Sequence, residues 1–309
     1  MQKVARAPAT DGSSGSDRLA FAGHQTFPFR HGWLKKAVDA VSADPRSLAS
    51  DRAIVDLGVG KNMVESIRHW GLATQVLTDL PQHGLGVGEM GHLLFEQWDP
   101  FLEHTASIWL LHWLLVSNPA RAATWHFAFG HYPQPDFSKD DLVDGTMKFA
   151  SRFRSSVKAS TVARDVDCLV RSYVASPGGS RSAPEDAFEC PLADLLLIGS
   201  QRDGDTYRFT IGPKRTLPPQ VLGFALLTFA GRFAPGRRTI RVGDCVYGPG
   251  SPGQAFKLDE NSFVEYIENL AEITGGAIQF DDTAGLRQVY LSETIDSNGL
   301  LAGYYQGGV

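Results

Sequence analysis

The sequence predicts an α+β protein, mostly α with small β-hairpins, built as tandem winged-helix-like modules. Apolar residues recur at helical spacing in HGWLKKAVDAV (Trp33, Leu34, Val38, Val41) and in VGKNMVESIRHWG (Met63, Val64, Ile67, Trp70). Three times a helical stretch is followed by paired short segments split by turn residues, most clearly at Asp203-Gly204. At 309 residues the chain is too long for one core. Its composition also changes along its length, because all six tryptophans and all nine histidines lie between His24 and His131.

The elements follow in order. Residues 1–19, rich in Ala, Ser, Gly and Asp, read as a disordered tail. A first unit at 20–134 opens with the helix around Trp33. A short helix, DRAIVDLG, follows and is closed by Gly58, and a second helix begins near Lys61: the outline of a helix-turn-helix. TQVLTDL and LGVGEMGHLLF, parted by Pro81 and Gly84, are the hairpin that would make it winged. Ser107–Ser117 suits a buried helix, and HYPQPDFSKDD reads as a linker. A second unit at 138–233 has a helix in KASTVARDVDCLVRSYVA, with Ser160 or Thr161 as its cap, then the flexible loop SPGGSRSAPED, a further helix and a hairpin. A C-terminal lobe at 234–309 has a helix stopped by Gly275-Gly276 and two more strands.

Composition excludes several classes. Apolar residues make up 43% and charged residues 20%, which is ordinary for a folded protein. No apolar run reaches the ~18–20 residues that span a bilayer, and the N-terminus lacks a secretory h-region. Cys168, Cys190 and Cys245 lie far apart and odd in number, which suits a reducing cytoplasm and excludes a CxxC zinc site. LGVGEMG is formally GxGxxG but lacks its strand–helix context, and Gly58, Gly60 and Lys61 do not make a P-loop. No membrane, nucleotide, haem or structural zinc is therefore expected.

Candidate chemistry concentrates in GHQTFPFRHGWLKK, which holds His24, Gln25, Arg30, His31, Lys35 and Lys36 among Phe27, Phe29 and Trp33. Cations neutralise phosphates and aromatic rings stack on bases or pack beneath them. Imidazoles titrate near neutrality, so His24, His31 and the phosphate-clamping Arg30 are the catalytic candidates. On the second helix Lys61, Asn62, Ser66 and Arg68 are expected to face outward toward DNA. From Thr206 to Gly243 there is no Asp or Glu, while Arg208, Lys214, Arg215, Arg237 and Arg238 are among seven cations. A second basic run includes Lys158 and Arg164. His112, Asn118 and His126 have an HNH-like order, but on an apolar helix. Asp281 and Asp282 are a candidate carboxylate pair for Mg²⁺ or Mn²⁺ if the protein is a nuclease, although neighbours on a strand point to opposite faces.

The segments FAGHQTFPFRHGWLKK, LGVGKNMVESIRHWGLA and IWLLHWLL resemble a bacterial uncharacterised-domain family found beside sulfur-transfer genes, and FDDTAGLRQVYL resembles its C-terminal end. That family includes the B component (SspB) of single-stranded DNA phosphorothioation systems. The resemblance implies a metal-dependent nickase that cuts one strand of double-stranded DNA in a modification and antiviral defence pathway. Sulfur-transfer proteins of the same system are the implied partners, and a homodimer is compatible with it. A non-enzymatic winged-helix DNA-binding adaptor that recruits the machinery would carry the same features.

Overall fold

The structure, a computed structural model, describes residues 18–174, 190–201, 204–283 and 285–307. The expected tail (save residues 18 and 19), the loop SPGGSRSAPED and Asp203 of the hairpin turn lie outside the described residues.

The first helix, α1 (Trp33–Ala43), buries Trp33, Leu34, Ala37, Val38 and Val41 on one face. A 3₁₀ turn leads to α2 (Ala53–Leu57), which ends where Gly58 takes a left-handed φ of 63° and Val59 N–H reaches back to the Ile54 carbonyl. Two residues later α3 (Lys61–Ala73) begins; it buries Val64, Ile67 and Trp70 against α1, and the Trp70 indole donates to the Phe27 carbonyl at 2.9 Å. Strands β1 (Leu77–Leu80) and β2 (Gly84–Val87) pair antiparallel, Leu77 opposite Val87. Gly84 is obligatory at their turn: its φ is 99°, and a Cβ there would lie 2.4 Å from the Pro45 carbonyl oxygen. Gly88 and Gly91 of the formal GxGxxG are packing glycines, since a Cβ on either would strike the Gln75 or Val76 carbonyl.

A short α4 (Glu89–His92) runs on as a π-helical stretch, Leu93–Trp98. The hydrophobic α5 (Thr105–Val116) is buried from Ala106 onward. In α6 (Pro119–Gly130) the helix breaks at Ala122, where the N-terminal arm inserts: Ala20 donates to the Pro119 carbonyl and accepts from Ala123 N–H.

The expected linker is structured. It contains β3 (Asp136–Ser138), with Phe137 in the core, and a capping box in which Ser138 and Asp141 start α7 (Lys139–Arg152). The next helix, α8 (Ala159–Tyr173), starts earlier than the hydroxyl caps predicted: Lys158 is its N-cap, and its carbonyl already accepts from Thr161 N–H. After a 3₁₀ turn at Pro191–Leu195, β4 (Ile198–Ser200) and β5 (Thr206–Phe209) pair, and β3 joins the sheet beside β5 in the order β3-β5-β4.

The remaining chain repeats this plan. Helix α9 (Pro219–Phe233) precedes β6 (Thr239–Arg241), α10 (Val242–Tyr247), α11 (Pro252–Phe256) and α12 (Glu260–Ile273). Strands β7 (Ile278–Thr283) and β8 (Leu286–Leu291) then form a sheet in the order β6-β8-β7. In both sheets the strand before the helices pairs with the last strand of the hairpin. The C-terminal α13 (Ser297–Gln306) packs on α9, and its Tyr305 stacks on Trp98 at 4.8 Å. The boundaries read at 134–138 and 233–234 fall between a helix and a strand of one repeat, and a single buried core runs across both. The fold is α+β, helices with small antiparallel sheets.

Candidate nucleic-acid interface

The arm before α1 delivers the predicted cationic segment to the start of α3. Arg30, His31, Trp33 and Lys36 share a cleft of about 490 Å³ with Ile54, the Gly58–Gly60 turn and Met63. Gly60 caps α3 without a side chain, so the first amides of the helix face this end as donors, where the helix dipole favours an anion. The Arg30 guanidinium lies 5.5 Å from the centre of the Trp33 ring, and Lys36 donates to the Leu57 carbonyl at 3.0 Å. His31, Lys61 and Asn62 are exposed at this end. Lys35 turns away to an ion pair with Asp39. Gln25 bonds Glu65 at 2.6 Å, and exposed Arg68 lies 3.8 Å from Asp79, which also pairs with Arg121.

The outward position expected of Ser66 is corrected. Ser66 does not face outward: it is wholly buried and donates to the His24 carbonyl at 3.0 Å, because it lies on the inner side of α3 beside Ile67. His24 is buried as well. Its Nδ1 accepts from Thr26 N–H at 3.0 Å, so its proton is on Nε2, which donates to Asp165 at 2.9 Å. Asp165, in α8, also accepts from Ala22 N–H and the Thr124 hydroxyl. This clasp joins the arm, α6 and α8 across 141 residues of sequence. No local signal marks it.

The HNH-like set is dispersed among structural tasks. His112 accepts from the Tyr173 hydroxyl at 2.7 Å and donates to the Ala255 carbonyl at 2.9 Å, and burial lowers its pKa to about 3. Asn118 donates to the Leu72 and Ala73 carbonyls at the end of α3. His126 donates through Nδ1 to the Val116 carbonyl, which leaves Nε2 to accept from His131 at 3.0 Å.

The acid-free stretch is less cationic in space than in sequence. Arg208 makes a fork with Asp136 at 2.6 and 2.7 Å, which holds that carboxyl below its usual range, and Arg238 pairs with Glu293. Lys214 is buried and donates to the Thr210 and Gly212 carbonyls; burial lowers its pKa to about 8. Arg215, Arg237, Lys158 and Arg164 are exposed. Asp281 and Asp282 are both exposed on β7, opposite Gln288 and Arg287, and Thr283 bonds Asp281. Among the described residues no three His, Cys, Asp or Glu side chains gather as metal ligands. No helix among them is long and apolar enough to cross a membrane.

The fold and the site together define an α+β helix–hairpin protein with cations gathered at the start of α3. The chain belongs to the family described as "Protein of unknown function (DUF4007)", whose profile matches residues 21–305. Two solved structures are similar to it, an SspB crystal structure and a magnesium ion-bound SspB crystal structure. Each has a TM-score of 0.82 and 29% identity, over 93% of this chain and 88% of the other. Comparison with curated proteins finds no match.

Proposed function

We propose that this protein is the DNA-binding, strand-nicking component of a DNA phosphorothioate modification system, with tandem winged-helix modules as its DNA-binding frame. The observation that carries this is the meeting of Arg30, His31 and Lys36 with the open N-terminus of α3, directly ahead of the β1–β2 hairpin. The likeness to SspB along nearly the whole chain supports it. At this site Arg30 and the first amides of α3 hold a phosphate, and Lys61 and Asn62 meet the neighbouring backbone and base edges. Exposed His31 is the group placed to move a proton there; buried His24 positions the arm. A nicked strand then offers its phosphate to a sulfur-transfer partner.

One neighbour is described as magnesium ion-bound, which supports Mg²⁺ as the divalent ion to supply when the proposed nicking is assayed. Asp281 and Asp282 do not fit a site built from both, because they alternate across β7 and Thr283 engages Asp281. No step is routed through them. Commitment of His24 to Asp165 favours a second reading, a non-enzymatic adaptor that binds DNA and recruits the machinery. Supercoiled plasmid incubated with Mg²⁺ or Mn²⁺, and with EDTA, separates the two. Metal-dependent conversion to open circles that is lost in Arg30→Lys and His31→Ala establishes the nickase. Binding without conversion establishes the adaptor.

A further inference from the structure

The cleft at the start of α3, about 490 Å³, brings Arg30, His31 and Lys36 together with Trp33, Ile54, Val59 and Met63, and no carboxylate is among the residues that line it. Several exposed cations elsewhere are shadowed by acids: Lys35 by Asp39, Arg208 by Asp136, Arg238 by Glu293, and Arg68 and Arg121 by Asp79. Two cations of the cleft are also held in place. The Arg30 guanidinium lies beside the buried Trp33 ring, and Lys36 is tied to the Leu57 carbonyl. Ile54, 41% exposed, gives the cleft an apolar wall still open to solvent. The size falls in the ~300–1,000 Å³ range of sites that enclose a small molecule, which is more than one backbone phosphate needs.

We infer that this cleft holds the phosphate-bearing end of a broken DNA strand, in preference to a phosphodiester within a continuous one. The inference rests on the DNA-binding reading above and names the form of DNA that the same site retains. A phosphate inside a duplex is tied on both sides to a backbone that stays on the convex face of the helix, so it offers a cleft only its outermost oxygens. A strand end is tied on one side and can enter. Charge acts in the same direction. A terminal phosphate carries about −1.5 to −2 at pH 7 and three acceptor oxygens, against a single charge and two free oxygens for a diester. Cations unopposed by an acid in the cleft favour the more highly charged form. Arg30 offers a planar fork to two of the oxygens, and Lys36 adds a point charge. Ile54, Val59 and Met63 suit the uncharged deoxyribose that follows.

Equilibrium anisotropy with one labelled duplex sequence tests this in four forms: intact, and nicked at one position with a 5′-phosphate, a 3′-phosphate or hydroxyls only. EDTA keeps the intact form intact. The expected result is about tenfold tighter binding of a phosphate-ended nick than of the hydroxyl-ended one, and the preferred polarity names the end that the cleft takes. The ratio is read within each variant, so it does not depend on the fraction folded. It should fall toward one in Arg30→Lys, and in Ile54→Glu, which puts a carboxylate into the cleft at an exposed position. Lys35→Gln, outside the cleft, should keep it. Equal binding of the nicked forms overturns the inference and leaves the DNA reading standing; absence of binding to any form overturns both. A preference that survives Arg30→Lys and Ile54→Glu unchanged places the end elsewhere and overturns the inference too. Competition by deoxynucleoside 5′-monophosphates distinguishes the source. If they bind while nicked ends are not preferred, the occupant is a free nucleotide and the strand end is wrong.

Discussion

His24 and Lys257 show how buried polar groups in this chain do structural work. Asp165→Ala leaves the Ala22 N–H, the His24 Nε2–H and the Thr124 hydroxyl without an acceptor inside the protein. It is expected to cost about 3–5 kcal/mol, read by urea unfolding. An unchanged unfolding midpoint with loss of plasmid conversion would instead give the pair a chemical role. Lys257 is buried on the Phe209 ring, 4.1 Å from its centre, and donates to the Ala128 and Phe129 carbonyls at the end of α6. Burial, with Lys214 nearby, lowers its pKa from 10.5 to about 7. Between those values the unfolded chain binds the extra proton, so stability should rise as pH rises through that window. Lys257→Met should flatten the rise measured by urea unfolding at pH 7, 8 and 9. Lys214, lowered to about 8, keeps part of it. A slope equal to that of the unmodified protein would remove Lys257 from the account.

At the scale of elements, the α2–Gly58–α3 turn and the β1–β2 hairpin were legible because each is specified locally. Gly58 marks the stop, Trp70 marks the buried face of α3, and Pro81 and Gly84 mark the hairpin. What the sequence hid was non-local. Strands β3 and β6 have three residues each and exist because they pair with β5 and β8, far along the chain. Ser66 follows the same rule, since a small hydroxyl on the border of a helical face reads equally well as outside or inside. Lys61→Ala and Asn62→Ala should weaken DNA binding, by roughly 1–3 kcal/mol where a base contact is lost, with little change in melting temperature. Trp70→Ala should destabilise by about 3–5 kcal/mol, because the ring is fully buried among Phe29, His69 and Trp125. Normal binding in both surface variants would move the recognition role to α8 or α12.

Across the whole molecule, the charge total says little about DNA, since the chain carries −5 overall and its cations are unevenly committed. Pairing of Arg208 and Arg238 with carboxylates and burial of Lys214 leave Lys61, Arg215, Arg237 and Arg241 among the exposed cations without an ion pair among the described residues. These lie at α3, ahead of α9 and around β6, so the number of phosphates neutralised reports how much of the molecule lies on the duplex. Each phosphate contact contributes about −0.9 to the slope of log K against log salt on B-form DNA. If the start of α3 and the segment between α9 and β6 grip one duplex together, Lys61→Gln and Arg237→Gln should each reduce the slope by about 0.9, and the double variant by about 1.8. If only the α3 end touches DNA, Lys61→Gln reduces it and Arg237→Gln leaves it unchanged. A slope near zero in the unmodified protein would mean that these cations serve some contact other than DNA.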